Sequence, residues 1–159
     1  MGAMPDLRIY SVKIPVADLT ISSQWYVDVF GLTKDMEWPD AGGVVRGIAF
    51  EPLSGVTLSL REHPTAAEAT RDFGFINVQV PAESDLATCA EHLDRLGVSH
   101  TEAMSGARGR LIGFHDPDGH QLSFYAETTT AAVREDSVHA VRKAGRDPSP
   151  QPDDNGPQR

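Results

Sequence analysis

A chain of 159 residues, 40% of them hydrophobic and 23% charged, has the make-up of one globular domain with a core of its own. Its formal net charge of −9 argues against a nucleic-acid partner, whose phosphates reward clustered Lys and Arg. No apolar run approaches the roughly 18–20 residues of a membrane span, and Cys89 is the only cysteine, so no intrachain disulfide forms and a reducing cytoplasm is the expected home.

The opening "MGAMPDLRIY" lacks the basic and apolar regions of a secretion signal. Acidity reads as solubility, or as an electrostatic preference for a cationic partner. Residues 7–16, "LRIYSVKIPV", alternate apolar and polar side chains, the pattern of a half-buried strand. A helical stretch follows and ends at Gly31-Leu32; Ile21, Trp25 and Val29 share one face, with Tyr26 and Phe30 beside it. Aromatics at that spacing are expected in the core. Strands over 34–38, 44–51 and 56–62 complete the first half.

The second half repeats the plan. Residues 73–80, "FGFINVQV", form the next alternating strand. Ser84 is the expected N-cap of a helix carrying Leu86, Ala90, Leu93 and Leu96, which Gly97 stops. Strands over 99–102, 110–115 and 120–126 follow. The turn Asp116-Pro117-Asp118-Gly119 between the last two is fixed by its own chemistry: Pro presets the backbone, Asp bonds it and Gly tolerates positive φ. Its aspartates are expected to be structural.

The two closing hairpins are nearly the same text. "RGIAFEPLSGVTLSL" (46–60) and "RLIGFHDPDGHQLSF" (110–124) share residue type at six positions, among them Gly55/Gly119, Leu58/Leu122 and Ser59/Ser123, at an offset of 123 − 59 = 64. Chance gives about one identity in such a window. The chain therefore reads as α+β, two βαβββ modules, about 7–62 and 73–126; curved mixed sheets around a concave pocket are the expected arrangement that would explain the duplication. Residues 1–126 are expected as one domain and 127–159 as an appendage, with a short helix near 131–143 and a tail too rich in Pro, Asp and Gly to bury a core.

Strand parity separates two faces. Val12, Ile14 and Val16 oppose Ser11 and Lys13; Leu58 and Leu60 oppose Ser59 and Arg61. In the second module Ile76, Val78 and Val80 oppose Phe75, Asn77 and Gln79; Leu122 and Phe124 oppose Ser123 and Tyr125. The polar faces are either solvated or the walls of a binding hollow.

"VKIPVADLTISSQWYVDVFGL" and "FHDPDGHQLSFY", in that order within an internal repeat, resemble the opening and closing motifs of the vicinal oxygen chelate superfamily. That superfamily includes glyoxalase I, bleomycin-resistance proteins, methylmalonyl-CoA epimerase and extradiol dioxygenases. The resemblance covers about residues 7–126. It implies metal ligands on the first and last strand of each module, at positions held here by Ser11, Ser59, Phe75 and Ser123. A transition metal wants imidazole, thiolate or carboxylate, so neither a metal nor another cofactor is expected. None of the six histidines rebuilds the site; His63 and His115 follow strands, and His120 lies on the outward side of its hairpin.

Two functions remain open. One is a metal-free binding protein of the glyoxalase/bleomycin-resistance type, holding an antibiotic or metabolite against Ser11, Lys13, Trp38, Ser59, Arg61, Phe75, Asn77, Ser123 and Tyr125. Asp35, Glu37 and Asp40 would then favour a cationic ligand. The other is a metal-independent isomerase, lyase or cyclase acting on a carbonyl compound, with Arg61 clamping an oxygen, His63 as base and Tyr125 as proton donor. The partners expected are a small organic molecule and a second copy of the chain in a homodimer, with neither nucleic acid nor membrane.

Overall fold

The computed structural model describes residues 4–128. The helix and tail expected beyond 128 lie outside the described residues. The first module runs β1 (Ser11–Val16), α1 (Leu19–Phe30), β2 (Lys34–Pro39), β3 (Val45–Phe50) and β4 (Thr57–Glu62). A short helix, α2 (Pro64–Ala69), leads into β5 (Gly74–Val80), α3 (Asp85–Arg95), β6 (Met104–Ser105), β7 (Gly109–His115) and β8 (Gln121–Glu127).

Two four-stranded sheets result, ordered β1-β4-β3-β2 and β5-β8-β7-β6. The order is the same in both copies. In each, the first strand pairs parallel with the last and the remaining neighbours pair antiparallel. The repeat reaches the backbone as well: Gly55 and Gly119, 64 residues apart, have φ of 83° and 85°. At Gly119 the turn needs that left-handed conformation, and an added Cβ would also stand 2.9 Å from Arg71 Nη1.

Three elements differ from expectation. In α1 the buried positions are Leu19, Ser22, Ser23, Tyr26 and Val29, while Ile21 is 59% exposed. The helix is rotated because its polar groups are tied down: Asp18 Oδ1 accepts from Ile21 N at the N-terminus, and Ser22 donates to Asp118. Residues 99–102 do not form a strand. His100 makes one bridge to Phe114, and the Thr101 hydroxyl accepts from Gly113 N in place of a ladder carbonyl. The paired strand comes later, at Met104–Ser105. In α3 Ser84 makes no side-chain cap bond; Asp85 accepts from Ala82 N instead.

α1 serves both sheets. It packs on β3 and β4 of its own module. Phe30 also meets Phe124 at 5.6 Å, and Trp25 meets Phe114 at 6.2 Å, both on the apolar face of the second sheet. The modules thus share one core, in which Tyr26, Phe50, Leu60, Leu93 and Ile112 are almost fully buried. Each such side chain contributes about 1.5–3 kcal/mol by leaving water.

A polar network pins the same joint. Asp118 accepts from Ala17 N (2.9 Å) and the Ser22 hydroxyl (3.1 Å). Asp116 Oδ1 accepts from the backbone N–H of Asp118 and His120, and its Oδ2 from the Tyr26 hydroxyl at 2.9 Å. His120 Nδ1 lies 2.8 Å from the same Oδ2 and carries the proton there, since a carboxylate only accepts; Nε2 lies 3.0 Å from Thr70 Oγ1. His120 is fully buried. Every acceptor site of Asp116 is used, which is the condition for burying a carboxylate without a large penalty. The turn aspartates are structural.

Candidate functional site

The polar faces lie on the far side of each sheet from the shared helix. On the first sheet, register builds two rows across four strands. Lys13 stands opposite Ser59, Ser59 opposite Ala49, and Ala49 opposite Met36. One step on, Pro15, Arg61, Gly47 and Trp38 align in the same way. The second sheet repeats both rows at the offset of 64: Asn77–Ser123–Gly113, since 13 + 64 = 77, 59 + 64 = 123 and 49 + 64 = 113, and Gln79–Tyr125–Leu111 from 15, 61 and 47.

Lys13, Trp38, Ser59 and Arg61 line one hollow of about 220 Å³. Gly47 makes it possible: a Cβ there would sit 3.1 Å from Trp38 Cε3 and 3.4 Å from Leu60 O. Asn77 and Ser123 line a second, larger hollow of about 570 Å³, walled by Thr101, Met104 and Leu111. The Ser123 hydroxyl donates to Asn77 Oδ1 at 2.6 Å. Tyr125 shares this face, and its hydroxyl accepts from Arg108 N at 2.6 Å. The two sets line separate hollows, each built by one module.

Other expected residues lie elsewhere. Ser11 is half-buried opposite Thr57, outside both hollows. Phe75 leaves the polar face because the β5 pairing shifts between Gly74 and Ile76; its ring meets His120 edge-on at 4.9 Å, against the core. Parity counted through a bulge gives the wrong side. His63 is exposed, and its Nδ1 accepts from Ala66 N as the cap of α2. Among the acids, Glu37 stands opposite Ile48, on the apolar side of the sheet. Asp40 accepts from Gly42 N, Val44 N and Arg46 Nε, and the Arg46 guanidinium holds its carboxyl below the usual carboxylate range. Asp35 is exposed at the irregular start of β2. The charges that line the first hollow are cationic.

Sequence reasoning missed the wall of the larger hollow. Leu111, Gly113 and His115 share the parity of Gln121 and Ser123, a signal present in the strand pattern. Thr101 gave none, because its role depends on a side-chain bond to Gly113.

The four positions that correspond to family metal ligands do not fit a divalent transition metal. Ser11, Ser59 and Ser123 offer neutral hydroxyls, that of Ser123 already donated to Asn77, and Phe75, half-buried against the core, has no ligating atom. Among the described residues no three His, Cys, Asp or Glu side chains are grouped to hold an ion.

With two modules, a shared strand order and these faces in view, comparison gives the class. The Glyoxalase/Bleomycin resistance protein/Dioxygenase superfamily matches residues 8–124, and the chain belongs to it. Among solved structures it is similar to TnmS3, an antibiotic binding protein from Streptomyces sp. CB03234, with TM-score 0.64 and 20% identity over 79% of this chain and 100% of that one. The fosfomycin resistance protein FosX from Listeria monocytogenes gives 0.63 and 19% over 79% and 94%. Lactoylglutathione lyase from Agrobacterium tumefaciens gives 0.61 and 16% over 77% and 96%. At these identities the likeness is one of fold. No curated protein matches the chain. No helix among the described residues is long and apolar enough to cross a membrane.

Proposed function

We propose that the protein is a metal-free small-molecule-binding member of its superfamily, holding an antibiotic or metabolite against the polar faces of its sheets. The observation that carries this is the pair of matched rows. Each sheet presents hydrogen-bonding side chains at the same register over a hollow, and the positions where relatives hold metal carry hydroxyls and a phenyl ring. Such a face can fix a ligand's polar atoms. The antibiotic-binding structural neighbour supports the reading by analogy.

Catalysis is the weaker reading. His63 uses Nδ1 to cap α2, and the Tyr125 hydroxyl is anchored to Arg108 N, so neither is arranged with Arg61 as a base–acid set. A second copy of the chain fits the binding account, because each hollow has one sheet for a floor and needs a facing wall. Homodimerisation would supply it and cover the free edges of β1 and β5.

The test is a paired analysis of protein purified without chelator. Denaturation followed by mass spectrometry should release an organic molecule, and elemental analysis should find no stoichiometric metal. One tightly held zinc, nickel, iron or manganese per chain would overturn the proposal.

A further inference from the structure

The geometry points to a planar organic anion, an aromatic or conjugated carboxylate, as the ligand of the first sheet, with its acid group between Lys13 and Arg61 and its ring against Trp38. This rests on the binding reading above and narrows it.

Three independent observations carry it. The first is charge. Lys13 and Arg61 line the same hollow, and neither has an ion-pair partner among the described residues. The nearby acids are engaged elsewhere: Arg46 takes both Asp40 and Glu62, and Glu37 lies on the opposite face. Two cations left beside an apolar plate favour a carboxylate, which guanidinium binds through paired N–H donors.

The second is shape. Gly47 stands opposite both Arg61 and Trp38, and a Cβ there would approach Arg61 Cδ at 3.6 Å as well as the indole. The arginine stem and the indole therefore close over bare backbone from two sides, so the indole and the guanidinium border one hollow. At about 220 Å³ the hollow is smaller than the roughly 300–1,000 Å³ of drug-sized sites, so it takes one flat group rather than a whole large molecule.

The third is the contrast between copies. At the matched register the second sheet has Asn77 for Lys13, Tyr125 for Arg61 and Leu111 for Gly47. The paired cations and the close approach over Gly47 both belong to the first module's rows alone. A duplicated scaffold that differs in this way selects an acid on one face and neutral hydrogen-bonding groups on the other.

The experiment is calorimetric titration of the full chain with 4-hydroxycinnamate, its neutral amide and tyramine, in wild type, Arg61→Gln and Lys13→Gln. Wild type should bind the acid at least about tenfold more tightly than the amide or the amine, as one charge-assisted contact implies. The preference should shrink with added salt and vanish in Arg61→Gln, whose exposed side chain can be neutralised without touching the core. Equal or tighter binding of amide or tyramine by wild type overturns the anion assignment and leaves the binding reading standing. An acid preference that survives both substitutions also overturns it, by placing the acid elsewhere. No binding of any of the three at millimolar concentration overturns this inference, while the binding reading stands or falls on the molecule released in mass spectrometry.

Discussion

The hydroxyl of Tyr26, on the helix of the first module, donates to Asp116 Oδ2, in the closing turn of the second, at 2.9 Å in a buried setting. The bond joins the two copies at the point where their apolar faces meet. Burial pushes the Tyr26 phenol far above its ordinary range, and the Asp116 carboxylate beside it adds to the rise. In the unfolded chain the phenol ionises near pH 10. Its contribution to stability is therefore complete below about pH 10 and is lost progressively as pH rises beyond that, because only the unfolded state releases the proton. Urea unfolding between pH 9 and 11.5 should show wild type losing stability more steeply than Tyr26→Phe. Parallel pH dependences would contradict this.

His120→Ala should destabilise the fold by about 2–4 kcal/mol. It removes a fully buried ring and leaves Asp116 Oδ2 and Thr70 each short of a partner. His120, expected on the outward side of its hairpin, lines neither hollow and is fully buried among Asp116, Thr70 and Phe75. A shift below about 0.5 kcal/mol in urea denaturation would mean that the network carries little.

Homodimerisation should be visible by light scattering at micromolar concentration as twice the chain mass. Only monomer there would mean that neither hollow receives a wall from a second copy.

Much of the fold was legible because duplication doubles every signal. Ser59 and Ser123 announce the same strand twice, and Gly55 and Gly119 the same turn. What escaped depends on partners far away in sequence. Ile21 was expected to be buried, yet Ser22 took its place by bonding Asp118, 96 residues on. α2 was not anticipated, since it hangs on a histidine cap and Pro64 rather than on apolar spacing. At the candidate site, parity grouped Lys13, Ser59 and Arg61 on one face, as the first hollow has them. It failed at Phe75, which lies within the shifted pairing between Gly74 and Ile76, while Asn77 and Gln79 beyond it keep the expected parity. That the polar sets line separate hollows follows from one helix serving both apolar faces, which no local pattern reveals.

The central claim is that binding belongs to the polar faces, and one comparison tests it most directly. Wild type, Arg61→Ala and Ile21→Ala, the last an exposed change on α1 away from both hollows, are titrated calorimetrically with the molecule released from the native protein. Circular dichroism first establishes that all three fold. A desolvated charge-assisted contact is worth about 1.5–3 kcal/mol, so Arg61→Ala should weaken binding about ten- to hundredfold while Ile21→Ala matches wild type. Equal losses in the two variants, or none in Arg61→Ala, would show that the polar face is merely solvated and that the ligand is held elsewhere.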